Sequence, residues 1–187
     1  MAGVDLKSEM PLLGFQLSDA QQSNFFTWFH LEQTGPAQTL GDRKFAEYKP
    51  SGSTLRALTS VNVTSDSQER IQSLELILTR SFIEDRVNGI YARDIAKSLL
   101  QSALSDADRN RFADLINQIE FLIPPGRPMI MHASRQTPNL PEEPTPGYAV
   151  YLGNSERWED RIWEGTIVME NLVLGSVPLC SIFVGKR

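Results

Sequence analysis

Apolar residues fall at Phe112, Leu115, Ile116, Ile119 and Leu122, an i, i+3, i+4, i+7, i+10 stripe. That period places them on one face of an α-helix. Ser105-Asp106-Ala107-Asp108 precedes the stripe as a capping box with Asp in place of Glu, so the helix is predicted to begin there. Pro124-Pro125 cannot continue it. Upstream, Ile95, Leu99 and Ala103, with Ala96 and Leu100, form a second helical face. Asn88-Gly89 before them supplies a left-handed stop for whatever precedes.

Ile71, Leu74, Leu78 and Phe82 also stand at helical spacing, behind the N-cap candidates Ser65-Asp66-Ser67-Gln68-Glu69. An alternating pattern through Leu74, Leu76 and Leu78 competes with this one. The Gln, Glu, Leu and Arg content and the caps favour helix. Leu55 to Val63 carries Thr59, Val61 and Val63 and reads as a strand. Near the N-terminus, Ser18-Asp19-Ala20-Gln21 is a capping box ahead of Phe25, Trp28 and Phe29 at i, i+3 and i+4. A helix of about 15 residues is predicted from it, ending near Gly35-Pro36. Residues 36–53 read as loop with one short element around Phe45 to Tyr48.

The pattern changes at Ile123-Pro124-Pro125-Gly126. Beyond it come short apolar runs bounded by turn residues: Met129 to Ala133, Tyr148 to Leu152, one or two strands between Ile162 and Leu174, and Leu179 to Val184. Such runs suit an antiparallel sheet. Residues 136–147 hold four prolines without periodicity and read as an extended surface loop. The fold expected is α+β, a helical N-terminal two-thirds (1–123) packed on a mostly antiparallel C-terminal β-sheet (124–187). Segregated helices and strands favour this over alternating βαβ units. A length of 187 residues suits a single domain. The competing arrangement is two small domains joined at Pro124-Pro125-Gly126.

Composition adds exclusions. The lone Cys180 and two histidines leave too few ligands for a structural zinc site. No basic-then-apolar leader opens the chain, and no apolar run approaches the ~20 residues that span a bilayer, so a cytoplasmic location and no membrane partner are expected. The net charge is −5 and no segment is basic, which disfavours nucleic acid as a partner. No phosphate loop, G-x-S-x-G elbow, H-E-x-x-H or CxxC is present, and no cofactor is expected.

Three groups of residues remain as candidates. His132 stands beside Ser134 and Arg135 where a strand feeds a loop, a place where a general base and an anion clamp can be presented. Cys180 needs a neighbouring base to be more than a small apolar residue. His30 lies in the aromatic N-terminal segment, where packing is the simpler role. The acids Glu156, Glu159, Asp160 and Glu164 alternate with Arg157, Trp158, Arg161 and Trp163. Their spacing is not that of an EF-hand, and the arginines compete with any metal, so no metal is expected. Trp and Arg are, however, the residues most enriched at binding hot spots. Trp158 and Trp163, five apart, cannot share one face of a helix or strand.

The leading expectation is therefore a non-enzymatic protein-interaction module, an adaptor, inhibitor or assembly component, binding through Trp158, Trp163, Arg157 and Arg161. The aromatic surplus of Phe25, Trp28 and Phe29 on one face, with Phe26 beside them, also suggests a homo-oligomer. The alternative is a small hydrolase or transferase with His132 as general base, Cys180 or Ser134 as nucleophile, and Arg135 or Arg127 as clamp.

Overall fold

Among the described residues eight strands form one antiparallel sheet, and five of them lie before residue 80. The computed structural model describes residues 11–121 and 140–187. Its strands are β1 (Leu31–Gln33), β2 (Gln38–Leu40), β3 (Arg43–Pro50), β4 (Thr59–Ser65), β5 (Ile71–Thr79), β6 (Arg157–Ile162), β7 (Gly165–Leu174) and β8 (Val177–Gly185). The order across the sheet is β1-β3-β4-β5-β8-β7-β6, with β2 also on β3. The helices are α1 (Leu17–Ala20), α2 (Asn24–Trp28), α3 (Ser53–Arg56), α4 (Arg80–Glu84), α5 (Gly89–Ala103), α6 (Asp106–Arg111), α7 (Ala113–Phe121) and α8 (Pro146–Leu152).

The chain is α+β, but the expected helical N-terminal two-thirds is overturned: that stretch supplies the larger part of the sheet. The decisive segment is 71–82. Leu74, Leu76 and Leu78 are all fully buried, as alternation requires and a helix would not allow. β5 sits mid-sheet between β4 and β8, and burial against two neighbours outweighs its helical propensity. The caps before it close a hairpin instead. The Asp66 carboxylate accepts from the backbone N–H of Gln68 and Arg70, both at 2.9 Å. This is the interaction an N-cap makes, used here in a turn.

The long N-terminal helix is likewise replaced by the short α1 and α2, with β1 following at once. Tyr148 to Leu152, expected as a strand, is α8. Thr145 accepts from Tyr148 N, Pro146 occupies the first turn, and Gly153 closes the helix at φ 84. Those are N- and C-terminal helix signals. The stripe from Phe112 is helical, divided into α6 and α7 around Phe112. Half of the capping box is present: the Ser105 hydroxyl accepts from Asp108 N at 3.2 Å, while the Asp108 carboxylate accepts from the Ser105 hydroxyl rather than from its backbone N–H. The break at 123–126 and residues 136–139 of the Pro-rich stretch lie outside the described residues. Of the remainder, 140–145 is neither helix nor strand. The fully buried Gln118 side chain of α7 holds it, donating to Glu143 O and accepting from Thr145 N and Oγ1 at 2.7–2.9 Å.

Side chains of one sheet face and of the helices make the core. One cross-strand row runs Tyr48, Val61, Leu76, Ile182, Met169, Trp158. Phe25, Phe82, Leu99, Leu100 and Ile119 meet this face from the helices and are buried. Phe25 and Phe26 are 0% and 2% exposed, and Phe26 packs edge-on against Tyr48 at 5.2 Å. The aromatic surplus of the N-terminal segment is thus absorbed by its own core, and it gives no reason to expect a second copy. Trp28 alone stays outside, 69% exposed.

Candidate functional site

The β6–β7 hairpin carries the cluster singled out in the sequence, and its geometry divides that cluster in two. Successive side chains of a strand point to opposite faces. Trp158, Asp160 and Ile162 turn toward the helices and are half-buried, while Arg157, Glu159 and Arg161 are exposed on the other face. Trp158 packs edge-on against Phe112 at 5.8 Å. It lies so close to α8 that a Cβ on Gly147 would fall 2.8 Å from its ring. Trp158 is therefore a packing residue that fixes α8 to the hairpin. Arg157 bonds Glu159 at 2.5 Å on its own face.

Trp163 is different. It stands in the turn after β6 and is 85% exposed. Its position is fixed by α6: the buried Asp108 accepts from Trp163 N at 3.0 Å and from the Ser105 hydroxyl at 2.8 Å. Arg111 reaches across from the same helix to Asp160 Oδ1 at 2.6 Å and to the Arg161 carbonyl at 2.8 Å. The two ends of the short helix α6 thus hold both sides of the turn. Trp163, Ile162, Arg161 and Arg111 border a surface hollow of ≈ 450 Å³ floored by Ser105 and Asp108. Among the described residues the Arg161 guanidinium has no hydrogen bond or ion pair, unlike that of Arg111. The corner presents an indole, a free guanidinium and a pinned backbone. Asp108 and Arg111, which hold it, carry no sequence signal beyond the capping box.

Cys180 lies in β8 with no exposed surface, opposite Leu78 on one side and Asn171 on the other. Burial pushes its thiol up to about 11, although the neighbouring Arg80 pulls the other way. A thiol so held has little thiolate at neutral pH. Two tyrosines of α8 stack nearby at 6.1 Å. Burial raises Tyr148 to about 12 and raises Tyr151 further. His30 is exposed rather than packed, in a left-handed conformation at φ 47 just after α2. His132, Ser134, Arg135 and Arg127 lie outside the described residues. Three of the four acids of the hairpin cluster are engaged by cations: Asp160 by Arg111, Glu159 by Arg157, and Glu164 by Lys186 at 3.2 Å.

Comparison with protein-family models, with characterised proteins and with solved structures finds no match. No helix among the described residues is long and apolar enough to cross a membrane.

Proposed function

We propose that this chain is a non-enzymatic protein-interaction module that docks a partner at the β6–β7 corner, with Trp163 as anchor and Arg161 beside it. The observation that carries the reading is Trp163, 85% exposed on a turn held by Asp108. A large aromatic left in water forgoes the burial that a folded chain ordinarily gives it. An aromatic fixed in place also loses little entropy when it enters a partner's pocket. Arg161 favours a partner whose apolar pocket is rimmed by carboxylates. Trp158 and Arg157, expected earlier in the same role, are assigned to packing and to an intramolecular ion pair.

The enzyme reading draws less support. Its candidate base is not among the described residues, and Cys180 is buried with a raised pKa.

The test uses the full chain as bait in affinity capture, with Trp163→Ala and Trp163→Phe beside the wild type. Trp163→Ala should leave the melting temperature unchanged and weaken capture of any specific partner by about thirtyfold, the loss of a hot spot of roughly 2 kcal/mol. Trp163→Phe should retain part of it. The same partners retained at the same strength by Trp163→Ala would remove the corner from the interface.

A further inference from the structure

The sheet face turned away from the helices holds a second, unrelated site. The segment Thr34-Gly35-Pro36-Ala37, between β1 and β2, overhangs this face and borders a cleft of ≈ 600 Å³. The cleft floor is one cross-strand row: Glu47, Asn62, Glu75 and Phe183 lie side by side on β3, β4, β5 and β8. Phe45 and Ser73 line the cleft as well.

Glu75 is the unusual member. Its carboxylate is half-buried and held by two neutral donors. Ser181 Oγ donates to Oε1 at 2.8 Å, and Asn62 Nδ2 donates to Oε2 at 3.1 Å. The other strand carboxylates on this face each have a cation. Glu32 pairs with Arg56, Glu47 with Lys49, Glu159 with Arg157, and Glu170 with Arg157. Among the described residues Glu75 has none. Taking a carboxylate partly out of water without a counter-ion is costly. Here the two neutral hydrogen bonds fix its orientation and leave its charge uncompensated.

The remaining bonding capacity has a definite shape. A carboxylate has about four lone-pair sites on two oxygens. Ser181 and Asn62 take one site on each oxygen, which leaves one free on each. One unused site on each oxygen leaves capacity for the paired N–H groups of a guanidinium, whose planar fork binds a carboxylate through two parallel hydrogen bonds. An ammonium is a point charge and gains less from that arrangement. Phe45 at the rim, 38% exposed, offers a ring face on which a guanidinium stacks, and the Phe183 ring next to Glu75 already carries one, that of Arg187 at 5.9 Å. Glu47 and Asn62 stand within the same row to accept its outer N–H groups.

We infer that this cleft is a binding site for a guanidinium group, with Glu75 as its counter-ion. The site is independent of Trp163, which belongs to the opposite, α6-facing corner.

Isotope-labelled full-length protein titrated at low salt with N-acetylarginine methylamide gives the test. Saturable shifts are expected at the amides of Asn62, Glu75 and Phe183. The neutral isostere N-acetylcitrulline methylamide should not saturate, and N-acetyllysine methylamide should bind several-fold more weakly. Methylguanidinium should compete, which separates recognition of the group itself from recognition of an amino-acid backbone. Glu75→Gln keeps an acceptor for Asn62 and should weaken arginine-analogue binding by at least tenfold, while Trp163→Ala leaves it unchanged. If Glu75→Gln fails to fold, the wild-type comparison of arginine and citrulline analogues decides alone. Equal affinity for the two analogues, undiminished binding by a folded Glu75→Gln, or no saturation by the arginine analogue would each overturn the assignment.

Discussion

Cys180 shows how far one residue's surroundings set its chemistry. In the unfolded chain the thiol ionises near its ordinary value of 9.0, and in the folded chain near 11, chiefly because burial disfavours the thiolate. Between those values the unfolded state has released a proton that the folded state keeps. The unfolded state then binds fewer protons, so stability falls as pH rises. Tyr148 and Tyr151 act with the same sign but start from 10.0. The stability lost to Cys180 alone should therefore begin near pH 9 and approach about 2 to 3 kcal/mol at most. The melting temperature is expected to be insensitive to these groups near neutrality and to fall on going from about pH 8 to about pH 10. Cys180→Ala should lower the melting temperature at neutral pH, because it leaves a small cavity. It should also flatten the slope in that alkaline range. A slope identical to wild type would mean that Cys180 does not control the alkaline limit.

Among the elements, Arg80 is the main junction. It is the first residue of α4, directly after β5. Its guanidinium donates to the carbonyls of Tyr151, at 2.5 Å, and Val150, at 3.4 Å, at the end of α8, and also to Asn171 Oδ1 of β7. Asn171 in turn donates to Val150 O and Ser155 O at 2.9 and 2.7 Å. A cation at a helix C-terminus also complements the helix dipole. Arg80→Met keeps the aliphatic stem but removes the donor to the Tyr151 carbonyl and to Asn171 Oδ1. It should cost about 2 to 4 kcal/mol in urea unfolding, with Arg80→Lys recovering only part. A loss under about 0.5 kcal/mol would show that water replaces the guanidinium without penalty.

Arg80 also marks where sequence reading stopped. Elements with local signals were legible: the apolar face of α5 through Ile95, Leu99 and Ala103, the Ser105 cap of α6, and the alternation of Cys180, Ile182 and Val184 in β8; Asn88-Gly89, expected as a left-handed stop, instead opens α5, with Asn88 right-handed at φ −78. The elements that failed did so because the deciding interaction was distant. Residues 71–79 carry both a helical and an alternating pattern, and pairing with β4 on one side and with β8, far along the chain, on the other selects the strand. α8 is the exception, since Thr145-Pro146 and Gly153 were local signals available to be read. Of the candidate site, Trp163 and Arg161 were visible as types in a cluster. Their separation from Trp158 and Arg157 was not visible, because it depends on the turn position and on Asp108. Glu75 was hidden for the same reason as β5: its cleft exists only once residues 71–79 are a strand.

For the whole molecule, the central question is whether the two halves of the sheet are one cooperative unit. The join is β5 on β8, with Ser73 to Thr79 facing Gly185 to Leu179. It unites strands that precede α4 with strands that follow α8, so neither half completes its core face alone. Ile182 sits at the middle of that join, fully buried, between Leu76 and Met169. Ile182→Ala should cost about 2 to 5 kcal/mol, as large-to-small core changes do. Native-state hydrogen exchange then distinguishes one unit from two. In one unit, the slowest amides at Val61 and Val63 in β4 and at Ile167 and Met169 in β7 lose protection by the same free energy, because all exchange through global unfolding. In two units, only the β7 amides respond and β4 keeps its wild-type protection. The row from Tyr48 to Trp158 crosses every one of these strands without a gap, and the equal loss is the outcome expected.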